Sequence, residues 1–220
     1  MKKILLFIVI ATFIISCQKE SSNPVKSDDD PYLNGNEKPE NSYWPTSKGS
    51  WWKYEGAIAG QDMGHTTTCI DEQKIDDVYY ASMRDVMKNQ TDEYFIRVEN
   101  NQYFVLGFGA DYGVSKEYEL CFLKPDEPIG TKWISSELYL NNMRNRYIFE
   151  VLDKLDTFVV RGKAYTDIIL MAIETQSYHP YLQEWSRTSR YGMYFSKSVG
   201  WIKIDFGPSG MVELVDYSIK

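Results

Sequence analysis

From Tyr43 onward the chain reads as extended segments separated by turn residues. Near the C-terminus, Ile202, Ile204 and Phe206 fall on one side of a strand, and Trp201, Lys203 and Asp205 on the other. Gly207-Pro208-Ser209-Gly210 then interrupts with four poor strand formers. Met211, Glu213, Val215 and Tyr217 alternate with Val212, Leu214 and Asp216, so the chain is predicted to close on a β-hairpin. Tyr94–Val98 and Gln102–Leu106 predict a second hairpin, because Asn100-Asn101 between them tolerates a left-handed turn.

Further strands are predicted at Gly49–Glu55, Thr66–Ile70, Val78–Met83, Lys116–Leu123, Arg146–Leu152, Phe158–Val160 and Ile168–Glu174. Asp76-Asp77, Leu155-Asp156-Thr157 and Arg161-Gly162-Lys163 read as turns. Ser136–Asn142 is the best helical candidate, and it is short. The pattern restarts in the second half: Gly130-Thr131-Lys132-Trp133 echoes Gly49-Ser50-Trp51-Trp52. The segment after Lys163 echoes that after Asp77, Tyr191–Phe195 echoes Asn101–Val105, and Met211–Leu214 echoes Glu117–Leu120. The expected fold is mainly β, an antiparallel curved sheet or partly open barrel, built of two related β-units packed as one body over residues 43–220.

Composition sharpens this picture. Aromatic residues make up 15% of the 220, which favours strands, and 43% hydrophobic residues suit a globular core. The net charge of −7 disfavours nucleic acid as a partner. Two histidines, His65 and His179, leave little material for metal or acid–base sites.

The N-terminus is an address. Met1-Lys2-Lys3 precedes an apolar run, Ile4–Ile15, too short to span a bilayer comfortably. The run ends Ile14-Ile15-Ser16-Cys17, which resembles the lipobox of bacterial lipoproteins. The resemblance implies a signal peptide over residues 1–16, cleavage before Cys17, and lipidation of its thiol with acyl chains such as palmitate. Gln18 after the cysteine implies the outer membrane, and Cys17-Gln18-Lys19-Glu20 is similar to the surface-export signal of Bacteroidetes lipoproteins. Residues 17–42 carry almost nothing apolar and read as a disordered tether. A flexible chain of that length spans about 25–30 Å root-mean-square.

The layout as a whole resembles uncharacterised Bacteroidetes lipoproteins. The likeness rests on the opening Tyr43-Trp44-Pro45…Gly49-Ser50-Trp51-Trp52-Lys53-Tyr54 and the closing Tyr194-Phe195-Ser196-Lys197-Ser198-Val199-Gly200-Trp201-Ile202-Lys203. Its motifs are structural and imply no catalytic residue. Ser198 and Trp201 stand where the resemblance leads one to expect Gly and an aliphatic residue, so a left-handed backbone at Ser198 would be strained.

The search for chemistry finds no nucleophile elbow, no zinc ligand set beyond the lone His65 and Cys69, and no calcium loop around Asp71-Glu72 and Asp76-Asp77. Gly107–Gly113 lacks dinucleotide spacing. No cofactor is expected. Once Cys17 is lipidated, Cys69 and Cys121 remain, and two readings stand open: a disulfide, or two buried free thiols. One stretch stands apart, Tyr178-His179-Pro180-Tyr181-Leu182-Gln183-Glu184-Trp185. Tyr178, Tyr181 and Trp185 could stack on a sugar or grip a protein; the plainer reading is a hairpin tip folded back on the core. The expectation is a non-catalytic binding or accessory lipoprotein at the outer membrane or cell surface, meeting the membrane through its lipid and taking a glycan or protein ligand. The rival is a periplasm-facing carrier of lipid or apolar ligand, with a hydrolase third.

Overall fold

A computed structural model describes residues 41–88, 90–107, 119–135, 137–140 and 143–220. Cys17, the leader and residues 18–40 of the tether lie outside them, as does most of the Gly107–Gly113 segment.

Fourteen strands form one antiparallel sheet. The first half supplies β1 (Trp51–Ile58), the short β2 (Gln61–Asp62), β3 (His65–Ile75), β4 (Val78–Met87), β5 (Gln90–Glu99), β6 (Gln102–Leu106) and β7 (Leu120–Leu123). The second supplies β8 (Lys132–Ile134), β9 (Leu138–Leu140), β10 (Met143–Val160), β11 (Lys163–His179), β12 (Glu184–Ser196), β13 (Gly200–Asp205) and β14 (Gly210–Ser218). The order across the sheet is β7-β6-β5-β4-β3-β1-β14-β13-β12-β11-β10-β8, with β2 against β1 and β9 against β10. Each half is thus a six-stranded meander, and the first strand of one pairs with the last strand of the other. Two of the four sequence echoes fall on equivalent strands, β1 with β8 and β4 with β11, and of a third, between Glu117–Leu120 and Met211–Leu214 on β14, only Leu120 lies on β7. The fourth relates β6 to β12, one strand out of step.

Chain connectivity forces the sheet to curl. Twelve strands laid flat would put β7 and β8 about 50 Å apart. The linker 124–131 that joins them reaches at most about 30 Å. Across the remaining gap the Trp133 indole donates to the Cys121 carbonyl (2.7 Å), and Lys154 Nζ donates to the Pro125 carbonyl (2.6 Å). The two edge strands do not pair, so the barrel stays open.

The concave face is filled. Trp52, Tyr54, Met83, Ile96 and Tyr103 from the first half meet Val151, Ile168, Phe195, Ile202 and Leu214 from the second in one buried cluster. The segment before β1 lies inside it. Trp44 is wedged between Tyr94, Phe122 and Phe195, with ring centroids 5.6–6.4 Å away. Ser42, placed by the sequence at the end of the tether, is buried and accepts a hydrogen bond from the Ser198 amide (2.7 Å). Ser42 is therefore part of the folded body. The Trp52 indole donates to the Val199 carbonyl and the Tyr54 hydroxyl to that of Trp201, fastening the first strand to the second half.

The structure differs from the sequence reading at two places and decides between its two alternatives at a third. Ser136–Asn142 holds no helix over its described residues: Leu138–Leu140 pairs with β10 as a strand. Leu155-Asp156-Thr157 is not a turn, because β10 runs unbroken for 18 residues and absorbs its irregularity as a bulge between Val151 and Asp153. Cys69 and Cys121 are free thiols. A disulfide needs close strands, and β4, β5 and β6 separate β3 from β7. The Cys69 thiol instead donates to the Thr46 carbonyl (3.0 Å), and burial pushes its pKa up to about 12.

Candidate functional site

β10, β11 and β12 are the longest strands, and β10 alone extends about 60 Å. β12 pairs with β13 only from Gly192 to Ser196, leaving Glu184–Tyr191 as an edge beside β11. The pairing register sorts this arm into two faces. Tyr147, Phe149, Val151, Met171, Ile173, Tyr191 and Met193 face the core, with Trp133 stacked on Phe149 at 5.7 Å. The other face carries Arg144, Arg146, Ile148 and Glu150, then Glu174, Gln176 and Tyr178, then Trp185, Arg187 and Arg190.

At the far end of that outer face the register sets Tyr178 directly against Trp185, with ring centroids 5.4 Å apart. Two guanidinium groups lie over the pair. Arg146 sits 4.3 Å from the Trp185 ring, and Arg144 sits 4.5 Å from Tyr178 and 5.6 Å from Trp185. Arg144 also forms an ion pair with Glu137 at 2.6 Å, whereas Arg146 Nε donates to the neutral Gln176 side chain at 2.8 Å. Tyr181 does not join the pair: it stands at the turn, 99% exposed, beside Leu182 at 67%. The hairpin end is not folded back on the core.

Toward the body the same face opens into a cleft of about 230 Å³ lined by Lys132, Ile148, Glu150, Ala172, Glu174, Arg187 and Arg190. Glu150 pairs with Arg190 (2.9 Å) and Lys132 (3.4 Å), and Glu174 with Arg187 (2.9 Å). A second cleft, about 370 Å³, lies at the Ser196–Val199 turn beside Tyr165 and Tyr217.

The sequence identified the rings of this arm but missed its arginines. Arg144 and Arg146 are 39 or more positions away from Trp185, and no local pattern links them. The His65–Cys69 pair gathers no further ligand, and no cluster of three or more His, Cys, Asp or Glu suited to a metal occurs among the described residues. His65 instead stacks on Tyr54 at 4.8 Å. No described helix is long and apolar enough to cross a membrane.

No known protein family matches the chain, and no curated protein matches it in sequence. Solved structures do resemble it. One is a lipoprotein candidate from Parabacteroides distasonis ATCC 8503, and another an exported-protein candidate with a YmcC-like fold from Bacteroides fragilis NCTC 9343. Each superposes with a TM-score of 0.52 at 10% identity, covering 81% of this chain and 99% of the other. The class is thus defined at the level of fold: an open, strongly curved antiparallel sheet of the kind those two proteins share.

Proposed function

We propose that the protein is a non-catalytic, lipid-anchored binding module held outside the cytoplasm at the outer membrane, and that the end of the β10–β12 arm is its ligand-binding surface. The observation that carries this reading is the Tyr178–Trp185 pair clasped by Arg144 and Arg146. Aromatic rings and guanidinium groups are the side chains that dominate recognition surfaces. A surface Trp ordered by cation–π contact is set in place before a ligand arrives.

The address supports the same reading. The lipobox at Cys17 provides the anchor, and both structural neighbours are described as exported or lipoprotein candidates. The filled concave face argues against a carrier of apolar ligand, since Trp44 and its aromatic neighbours occupy the space such a ligand would need.

The test has two parts. Labelled palmitate should enter the wild-type chain and not Cys17→Ser, and protease applied to intact cells should remove the protein if it faces outward. Full-length wild type should retain ligands on a glycan array, and Trp185→Ala should lose them while melting within a few degrees of wild type. Retention unchanged by Trp185→Ala would remove the arm from the binding surface.

A further inference from the structure

We infer that the ligand of this arm is an acidic polysaccharide, read by a strip of cations along its outer face. The inference rests on the arm being a binding surface and adds the ligand's charge and polymeric form.

The strip places Arg144, Arg146, Lys132, Arg187 and Arg190 on one face, against the carboxylates of Glu137, Glu150 and Glu174. It is cation-rich on a chain whose net charge is −7, so the sign is local and opposite to that of the whole. Glu150 and Glu174 are largely buried beneath Arg190 and Arg187, which orders those guanidiniums. Arg146 differs from the others. Its flat group is held by the Trp185 ring on one side and by Gln176 at Nε, and no carboxylate of the described residues forms an ion pair with it. A guanidinium fixed in this way presents its terminal donors as a fork that matches a carboxylate or sulfate.

Spacing favours a polymer over a single anion. From Arg144 to Glu150 the β10 backbone runs about 20 Å, so the cations are spread over several sugar units. The rings of Tyr178 and Trp185 lie in the same strip and supply apolar surface for the faces of sugar rings.

The experiment is affinity electrophoresis of the full-length protein in neutral detergent, through gels carrying polygalacturonate, dextran sulfate or neutral dextran. Both acidic polymers should retard wild type, neutral dextran should not, and retardation should fall as salt rises. Arg146→Gln should weaken it about tenfold, Arg146→Lys should restore part of it, and Lys48→Gln, in the turn before β1, should leave it unchanged. Equal retardation by neutral dextran, lost in Trp185→Ala, would keep the binding surface and overturn the acidic ligand. Retardation by acidic polymers indifferent to both Arg146→Gln and Trp185→Ala would mark bulk ion exchange and overturn the inference. So would the absence of retardation by any polymer, together with capture on phosphatidylglycerol vesicles lost in a Tyr181→Ser, Leu182→Ser variant, which would make the tip a membrane contact.

Discussion

At the scale of single residues, Ser198 sits in a conformation, and Asp85 in an environment, that opposes its chemistry. Ser198 occupies the left-handed region with φ of 65°, as its place in the closing segment foretold. The Cβ clash there costs roughly 1 kcal/mol, and a glycine escapes it while adding freedom to the unfolded chain. Ser198→Gly is therefore expected to stabilise by about 0.5–1 kcal/mol, measured by urea unfolding, with the Ser42–Ser198 backbone bond retained. Asp85 is the second case. Burial pushes its carboxyl above the ordinary 3.8; nearby His65 and hydrogen bonds from Thr67 and Tyr94 oppose this, while Asp92 adds to it. The folded protein holds that proton more tightly than the unfolded chain does. The ionised form thus costs stability at neutral pH, and the cost is relieved as pH falls through the raised value and is gone below 3.8. Wild type should accordingly gain melting temperature relative to Asp85→Asn as pH drops from 7 toward 4. A difference that stays constant over that range would show that Asp85 titrates normally.

At the scale of elements, the joint between the halves is the pairing of β1 with β14, and two glycines, Gly56 and Gly210, permit it. A Cβ on Gly56 would lie 2.1 Å from the Met211 carbonyl oxygen, a backbone atom with no room to yield. Gly56→Ala should destabilise by about 1–3 kcal/mol, with hydrogen exchange rising first along Gly210–Ser218. The hairpins at Asn100-Asn101 and Gly207–Gly210 were legible in the sequence because turn chemistry is local: both Asn residues take positive φ (50° and 55°), and so do both glycines. The length of β10 and β11 was not. Leu155-Asp156-Thr157 looks like a turn in isolation, yet Leu155 pairs with Ile168 and Thr157 with Thr166, so tertiary pairing overrides local preference. The candidate site was half legible for the same reason. Its rings lie in one stretch, while its arginines reach them across strands.

At the scale of the whole molecule, two related meanders raise the question of whether each is a domain. The contacts argue that neither is. Trp44 and Trp52 of the first half are sealed by Phe195 and Val199 of the second, Tyr54 stacks on Trp201 at 3.5 Å, and Trp133 of the second donates to Cys121 of the first. A half standing alone would expose these faces and lose its neighbour strand at β1 or β14, leaving a long unpaired edge. Pairing β1 with β14 also joins residues more than 150 positions apart, which makes folding slow but binds the two units into one transition. Fragments 41–124 and 125–220 should each lack a cooperative thermal transition. Mixed at equal concentration, they should recover the near-ultraviolet circular dichroism of the intact chain, because the interface carries most of its buried tryptophan. A cooperative transition in either fragment alone would instead mark that meander as an independent domain. The arm of the second half would then be free to move relative to the first, and its cation strip would be a property of one unit, not of the closed sheet.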